Sequence, residues 1–126
     1  MEKAAVKQMS PLALAFLGDA AFELRVREKL LEQGNAPVQQ LHRKAVRFVC
    51  AEAQSRAVEL LEGMLTEEEA QVFKRGRNTH SHPPKNADVA DYRRATGLET
   101  LFGYLHLCGS LDRERELFEI IWEKMP

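Results

Sequence analysis

Two acidic residues interrupt otherwise uncharged stretches of this chain. Asp19 is the only charged residue in positions 11–22, and Glu99 is the only one in positions 95–109. Each is predicted to lie on a helix among apolar or small side chains, where an unpaired carboxylate is unfavourable. Two carboxylates on packed helices that converge on a hard cation would both be satisfied, with Mg²⁺ keeping waters and contacting substrate phosphate oxygens. The pair therefore predicts metal-assisted chemistry on a phosphate.

Structural roles are open for the same acids. Asp19 could cap a helix that starts after Gly18, and Thr96 with Glu99 has the spacing of a capping box. A salt bridge to a buried arginine would serve either acid. Glu23, one helical turn after Asp19, is a candidate further metal ligand or a residue that positions the metal ligands without contacting the metal. Its alternative is a structural pair with a base such as Arg27, one turn further on.

Other polar clusters favour structural interpretations. His80 and His82 have the look of a metal pair, but they stand beside two prolines with no cysteine near, which is typical of a loop. Asp88 and Asp91 are placed to start a helix, where acids interact favourably with the helix dipole. The sequence has no glycine-rich phosphate loop and no Gly-x-Ser-x-Gly motif.

Basic residues concentrate in one part of the chain. Positions 73–94 hold six bases and two acids, although the whole protein has a formal net charge of −1. A local positive excess of this kind is an electrostatic footprint that could bind phosphate. The alternative is a solvated loop and helix end.

Helical periodicity dominates the elements that must position these residues. We predict an all-α fold, a compact single-domain helical bundle of five or six helices covering residues 1–126. The expected helices are 10–31, 37–61, 66–75, 89–107 with a break near Gly97, and 111–124. Ser10 is the expected cap of the first, Thr66 opens a capping box in the third, and Gly76 is expected to end that helix.

Composition limits the class of protein. With 126 residues, 44% of them hydrophobic, the chain fits one core. Its longest apolar stretches are too short for a membrane span, and the start lacks the apolar run of a secretory signal. Cys50 and Cys108 are interpreted as reduced core residues, which favours a cytoplasmic protein.

The acids stand in recognisable motifs. Phe16-Leu17-Gly18-Asp19-Ala20 resembles the signature helix of the ribonuclease III catalytic domain, and Glu99-Thr100-Leu101-Phe102-Gly103 resembles its later ligand helix. Residues 74–78, 84–86 and 92–97 are similar to the Mini-III subfamily, which lacks the double-stranded-RNA-binding domain. Full-length ribonuclease III carries further acids where this chain has Leu12, Ala15 and Thr96, and Mini-III shares those losses.

The resemblance implies an endoribonuclease that hydrolyses double-stranded RNA and leaves 5′-phosphate ends. Asp19 and Glu99 would be the catalytic metal ligands, with Mg²⁺ as cofactor and Mn²⁺ as a substitute. The implied substrate is precursor 23S ribosomal RNA in the cytoplasm, with a ribosomal protein as a candidate helper. The candidate RNA contacts are Lys74, Arg75, Arg77, Asn78, Lys85 and Asn86.

A homodimer is also implied, because the signature helix packs at the dimer interface in this family. Leu12, Phe16 and Phe22 are the candidates for burial there, or else they belong to the core of the subunit. Two other functions compete with the nuclease. One is an RNA-binding or ribosome-associated dimer without catalysis, against which the retention of two costly acids argues. The other is a helical adaptor, for which the basic stretch has no obvious use.

Overall fold

Seven helices make up most of residues 1–125, the part of the chain that this computed structural model describes. The last residue of the predicted domain, Pro126, lies outside the described part. In chain order the helices are α1 (Lys3–Lys7), α2 (Pro11–Glu32), α3 (Val38–Val49), α4 (Ala51–Leu61), α5 (Glu67–Arg77), α6 (Val89–Leu107) and α7 (Leu111–Lys124). The all-α prediction is confirmed.

Helix α6 lies at the centre and packs most extensively against α2. Two glycines allow the two backbones to touch. A Cβ atom added at Gly18 would lie 1.6 Å from the carbonyl oxygen of Glu99, and one added at Gly103 would lie 1.9 Å from that of Leu14. Both values are far inside van der Waals contact, so only glycine fits at these two crossing points.

The core around this helix pair is aromatic at one end. The Phe22 ring meets the rings of Phe102 and Phe118 edge to face, with centroids 5.3 and 5.5 Å apart, a favoured geometry for aromatic pairs. Trp122 of α7 stacks on Phe48 of α3 with a centroid distance of 4.5 Å. The aromatic side chains therefore connect α2, α3, α6 and α7.

Local capping signals agree with the helix starts. The Ser10 hydroxyl accepts a hydrogen bond of 3.1 Å from the backbone of Ala13. Thr66 and Glu69 form a reciprocal capping box, and the Asp88 carboxylate accepts a bond of 2.9 Å from the backbone of Asp91. The predicted starts of α2, α5 and α6 are thus confirmed with their physical cause.

Three predicted features of the helices are wrong. The expected helix 37–61 is two helices, because the backbone of Cys50 is extended (φ −69°, ψ 156°). Gly76 does not end α5, and Gly97 does not break α6. These glycines serve close packing instead: an added Cβ would lie 2.2 Å from the Thr100 hydroxyl at Gly76 and 2.7 Å from the Phe73 ring at Gly97.

Neither cysteine is a fully buried core residue. Cys50 is exposed at the junction of α3 and α4, and Cys108 is half-buried. Both were expected in the core because apolar residues flank them, and the extended backbone at Cys50 removes it from the helical pattern. Within residues 1–125, every helix is too short or too polar to cross a membrane.

Candidate active site

The α2–α6 crossing brings the two predicted acids together. Asp19 follows Gly18 directly, and the backbone carbonyl of Glu99 is the group that Gly18 approaches most closely. The two side chains are close enough for Asp19 to contribute to the raised pKa of the Glu99 carboxyl. The proximity of Asp19 and Glu99 is therefore set by backbone contact between the two helices. Gly18, which precedes Asp19, permits this contact.

The electrostatics of Glu99 are unusual for an acid. Burial, the hydrogen bond to Asp19 and the negative charge of Asp19 together raise the pKa of Glu99 to about 8. Desolvation disfavours the charged form, and a neighbouring anion adds to the effect. A strongly raised pKa next to a second carboxylate is typical of a functional site.

The capping alternatives for Glu99 and Asp19 are wrong. Helix α6 runs through Thr96, whose hydroxyl donates to the Tyr92 carbonyl at 3.0 Å, so there is no helix start for Glu99 to cap. Asp19 lies inside α2, eight residues after its first residue, and is not an N-cap either.

The expected burial of Asp19 is also wrong. Its side chain is exposed, whereas Glu99 is half-buried. Two of the apolar neighbours predicted to cover Asp19 are themselves exposed, Leu12 by 42% and Phe16 by 84%. Phe22 lies in the core instead, 1% exposed. An apolar face of α2 therefore stands open beside the acid.

Glu23 takes the structural role. Its carboxylate pairs with the guanidinium of Arg27 one turn further along α2. Within residues 1–125, no group of three or more histidine, cysteine or acidic side chains is arranged to hold a metal ion. The His80 and His82 pair lies in the loop between α5 and α6, in agreement with its interpretation as part of a loop.

The predicted RNA-contacting residues differ in their exposure and in the contacts that they already make within the protein. Lys74, Lys85 and Asn86 are exposed. The guanidinium of Arg77 lies 5.8 Å from the centre of the Phe73 ring, and its Nε donates to the Asn78 side chain at 3.1 Å.

Arg75 is engaged with the N-terminal segment. It donates to the backbone carbonyls of Lys7 and Met9, at 3.3 and 3.4 Å. Its side chain thus holds the segment between α1 and α2 against α5.

An ionic triad centred on the buried Glu114 joins α2, α6 and α7. Glu114 of α7 is 1% exposed; one of its oxygens accepts from Arg25 of α2, and the other lies 2.9 Å from Nδ1 of His106 of α6. The alternation of acids and bases at the start of α7 reads as a solvated surface, and Arg25 is 89 residues away from Glu114. His106 therefore pairs with Glu114.

Comparison with known proteins identifies a ribonuclease III domain in this chain. The model of the ribonuclease III domain matches residues 12–110, a span that contains both acids. A solved structure of a protein from Fusobacterium nucleatum superposes with a TM-score of 0.83 at 31% identity, covering 90% of this chain and 93% of that one.

Curated relatives give the narrower group. The chain is 43% identical to Mini-ribonuclease 3 of Thermoanaerobacter, covering 95% of this chain and 85% of the relative. It is 49% identical to Mini-ribonuclease 3 of Enterococcus faecalis, covering 88% and 86%. The chain therefore belongs to the Mini-ribonuclease 3 family, and it is an endoribonuclease.

Proposed function

We propose that this protein is a metal-dependent endoribonuclease that cleaves double-stranded RNA, with Asp19 and Glu99 as its catalytic metal ligands. The observation that carries the proposal is the contact between these two carboxyls at the α2–α6 crossing, with the pKa of Glu99 raised to about 8. A cation at this position would offset both the desolvation of Glu99 and its repulsion by Asp19, which raise this pKa.

The donor set fits Mg²⁺. Carboxylate oxygens are the ligands that this ion prefers, and it usually takes only one or two of them, leaving other positions to water and substrate phosphate. Mn²⁺ accepts the same oxygen ligands and would substitute for it. When bound, the ion would lower the pKa of the attacking water and neutralise charge on the phosphate.

The protein's own residues have three tasks in this proposal. Glu99 would hold the ion in its deprotonated form, and Asp19 would offer a solvent-exposed carboxylate at the point where RNA would approach. The Glu23–Arg27 pair lies one to two turns further along α2, where the arginine neutralises the charge of Glu23. Hydrolysis at this site would leave a 5′-phosphate and a 3′-hydroxyl.

The proposed RNA surface consists of Lys74, Arg75, Arg77, Asn78, Lys85 and Asn86. RNA duplexes are recognised mainly through phosphates and 2′-hydroxyls, which suits a basic surface with amide side chains. Because phosphate contacts release counterions, affinity for RNA should fall steeply with salt. Arg75 would contribute charge while its hydrogen bonds remain with the N-terminal segment.

The physiological substrate that we propose is precursor 23S ribosomal RNA, whose paired ends form a long duplex stalk. The proposal places the reaction in the cytoplasm, with a ribosomal protein presenting the RNA. Its support is the membership of the Mini-ribonuclease 3 family together with the resemblance of the motifs.

A homodimer completes the proposal. Leu12, Phe16, Leu24 and Leu31 are all exposed, Phe16 by 84%, and their successive spacings of four, eight and seven residues put them on one side of α2. An exposed apolar stripe of this kind is unfavourable in water unless a partner covers it. Asp19 lies one turn from Phe16, so a two-fold interface here would bring two active sites close to one duplex.

Replacing Phe16 by aspartate is expected to give a monomer. A charge at the centre of the apolar stripe would be buried without a partner in the dimer. Sedimentation or light scattering should report half the wild-type mass, with an unchanged helical circular dichroism spectrum. The matched control is Val89→Asp, which changes an apolar residue that is 46% exposed and lies on α6, a different helix from the stripe. A Phe16→Asp protein that keeps the wild-type dimer mass would contradict the assignment of the interface.

The activity itself is tested with a long RNA duplex. Purified protein should shorten the duplex in the presence of Mg²⁺ and leave it intact with EDTA, and the products should carry 5′-phosphates. A single strand of the same sequence is the control and should be cut much more slowly. If the protein bound the duplex but did not cleave it in Mg²⁺ or Mn²⁺, the nuclease hypothesis would be refuted in favour of a non-catalytic RNA-binding protein.

A further inference from the structure

A pocket of about 350 Å³ opens between α4, α5 and α6, away from the acid pair. Neither Asp19 nor Glu99 lines it. Its floor is apolar and reaches the core, since the lining residues Leu61, Leu98 and Leu101 are at most 2% exposed. We call it the α4–α6 pocket.

Charged residues surround the open side of the α4–α6 pocket. Lys74 and Glu62 are exposed, and Arg77 and Arg94 are half-buried, so three cations face one acid. Arg94 is held in place by a hydrogen bond of 3.2 Å to the Ser55 hydroxyl. An apolar floor below a positive rim matches a ligand with a flat, weakly polar body and an attached anion.

A nucleotide has this combination of properties, and the pocket is the right size for one. Ligand pockets start at roughly 300 Å³, so the α4–α6 pocket accommodates a single nucleotide and excludes a duplex. Phe73 is only 9% exposed, and its ring packs against Gly97 and Arg77, so a base in the pocket would lie on aliphatic side chains. Lys74 and Arg77 belong both to this pocket and to the proposed RNA surface, so RNA bound there reaches the opening of the pocket.

We propose that the α4–α6 pocket receives one unpaired nucleotide of the RNA substrate, with its base on the apolar floor and its phosphate at Lys74, Arg77 and Arg94. This inference rests on the proposed function, because it needs RNA on the basic surface. It makes a bulged or frayed nucleotide beside the duplex a determinant of where the protein binds.

Filling the pocket tests the inference. Ala70 lines the pocket and is half-buried on α5, whereas the next residue, Gln71, is exposed. Ala70→Phe puts a ring into the pocket, and Gln71→Phe adds the same ring outside it. RNA affinity is measured in EDTA, which prevents cleavage under the proposed function, with two duplexes that differ only by one bulged nucleotide.

Wild type and Gln71→Phe should bind the bulged duplex about tenfold more tightly than the paired one, as expected when part of one base is buried against apolar side chains. Ala70→Phe should bind both duplexes with the affinity that wild type has for the paired one. Equal wild-type affinity for the two duplexes would overturn the inference. Cleavage of the fully paired duplex by wild type in Mg²⁺ is scored in parallel, so the proposed function is judged separately.

A second measurement does not depend on the fold of a variant. A 4-thiouridine at the bulge is crosslinked to the wild-type protein by light, and the attachment site is found by mass spectrometry. Crosslinks to residues 58–77 or 94–101 are expected, since these segments line the pocket. Crosslinks confined to other parts of the chain would overturn the inference.

Discussion

Glu99→Gln should abolish RNA cleavage and at the same time stabilise the metal-free protein at pH 8. Cleavage should fall by a factor on the order of 10³ or more, because an amide cannot replace a carboxylate ligand. The gain in stability follows from the proton that Glu99 retains in the folded state, where its pKa is about 8 against 4.5 as the ordinary value.

The sign of the pH effect is fixed by linkage. Between pH 4.5 and pH 8 the folded protein keeps a proton that the unfolded chain has lost, so the free energy of unfolding falls as pH rises. The loss is on the order of a few kcal/mol, reduced by the partial exposure of the side chain. Glutamine does not titrate, so the variant escapes this loss.

Denaturation in EDTA at pH 5 and pH 8 measures the effect. The wild-type transition should drop between the two values by more than that of Glu99→Gln, and Mg²⁺ should restore stability to wild type alone. Asp19→Asn is the matched variant: it should also lose cleavage, and its pH dependence should be weaker because one cause of the raised pKa is removed. Cleavage that survives in both variants would refute the catalytic assignment.

Gly18→Ala and Gly103→Ala should each destabilise the fold by about 3 kcal/mol or more, since overpacking a tight interior site has costs of this order. In a solvated helix the same change is stabilising by about 1 kcal/mol. The sign of the change in the free energy of unfolding therefore distinguishes a backbone clash from an effect of helix propensity. At both sites the added Cβ would meet backbone atoms that have no freedom to rotate away, at 1.6 and 1.9 Å.

Urea denaturation of the two variants checks this prediction, with cleavage of a duplex as the second readout. Any variant that still folds should cut slowly, because separating α2 from α6 separates the two carboxyls. Alanine at position 18 with wild-type stability and activity would show that the crossing is not as close as described.

Local signals were sufficient for much of the fold. The caps at Ser10, Thr66 and Asp88 have short-range partners three residues away, so the sequence alone predicts these helix starts. The Glu23–Arg27 pair is local in the same sense. The convergence of residues 19 and 99 could be inferred because each acid conflicts with its uncharged surroundings.

What escaped prediction depends on distant partners. Gly76 and Gly97 have the local appearance of a helix end and a break, but Thr100 and Phe73 require them to be small. No glycine or proline stands near Cys50, so the sequence does not predict the bend there. The exposure of Asp19 could not be read from its neighbours, since Leu12 and Phe16 are apolar and yet lie on the open face of α2.

The ionic triad of Arg25, Glu114 and His106 restricts how the protein can evolve. Both oxygens of a buried carboxylate are in use, and removing one partner of a buried ion pair is strongly destabilising, whereas an apolar replacement of the whole group is often neutral. Single-step substitutions at these positions are therefore disfavoured. Lineages should carry either all three polar residues or apolar residues at all three positions, and mixtures should be rare.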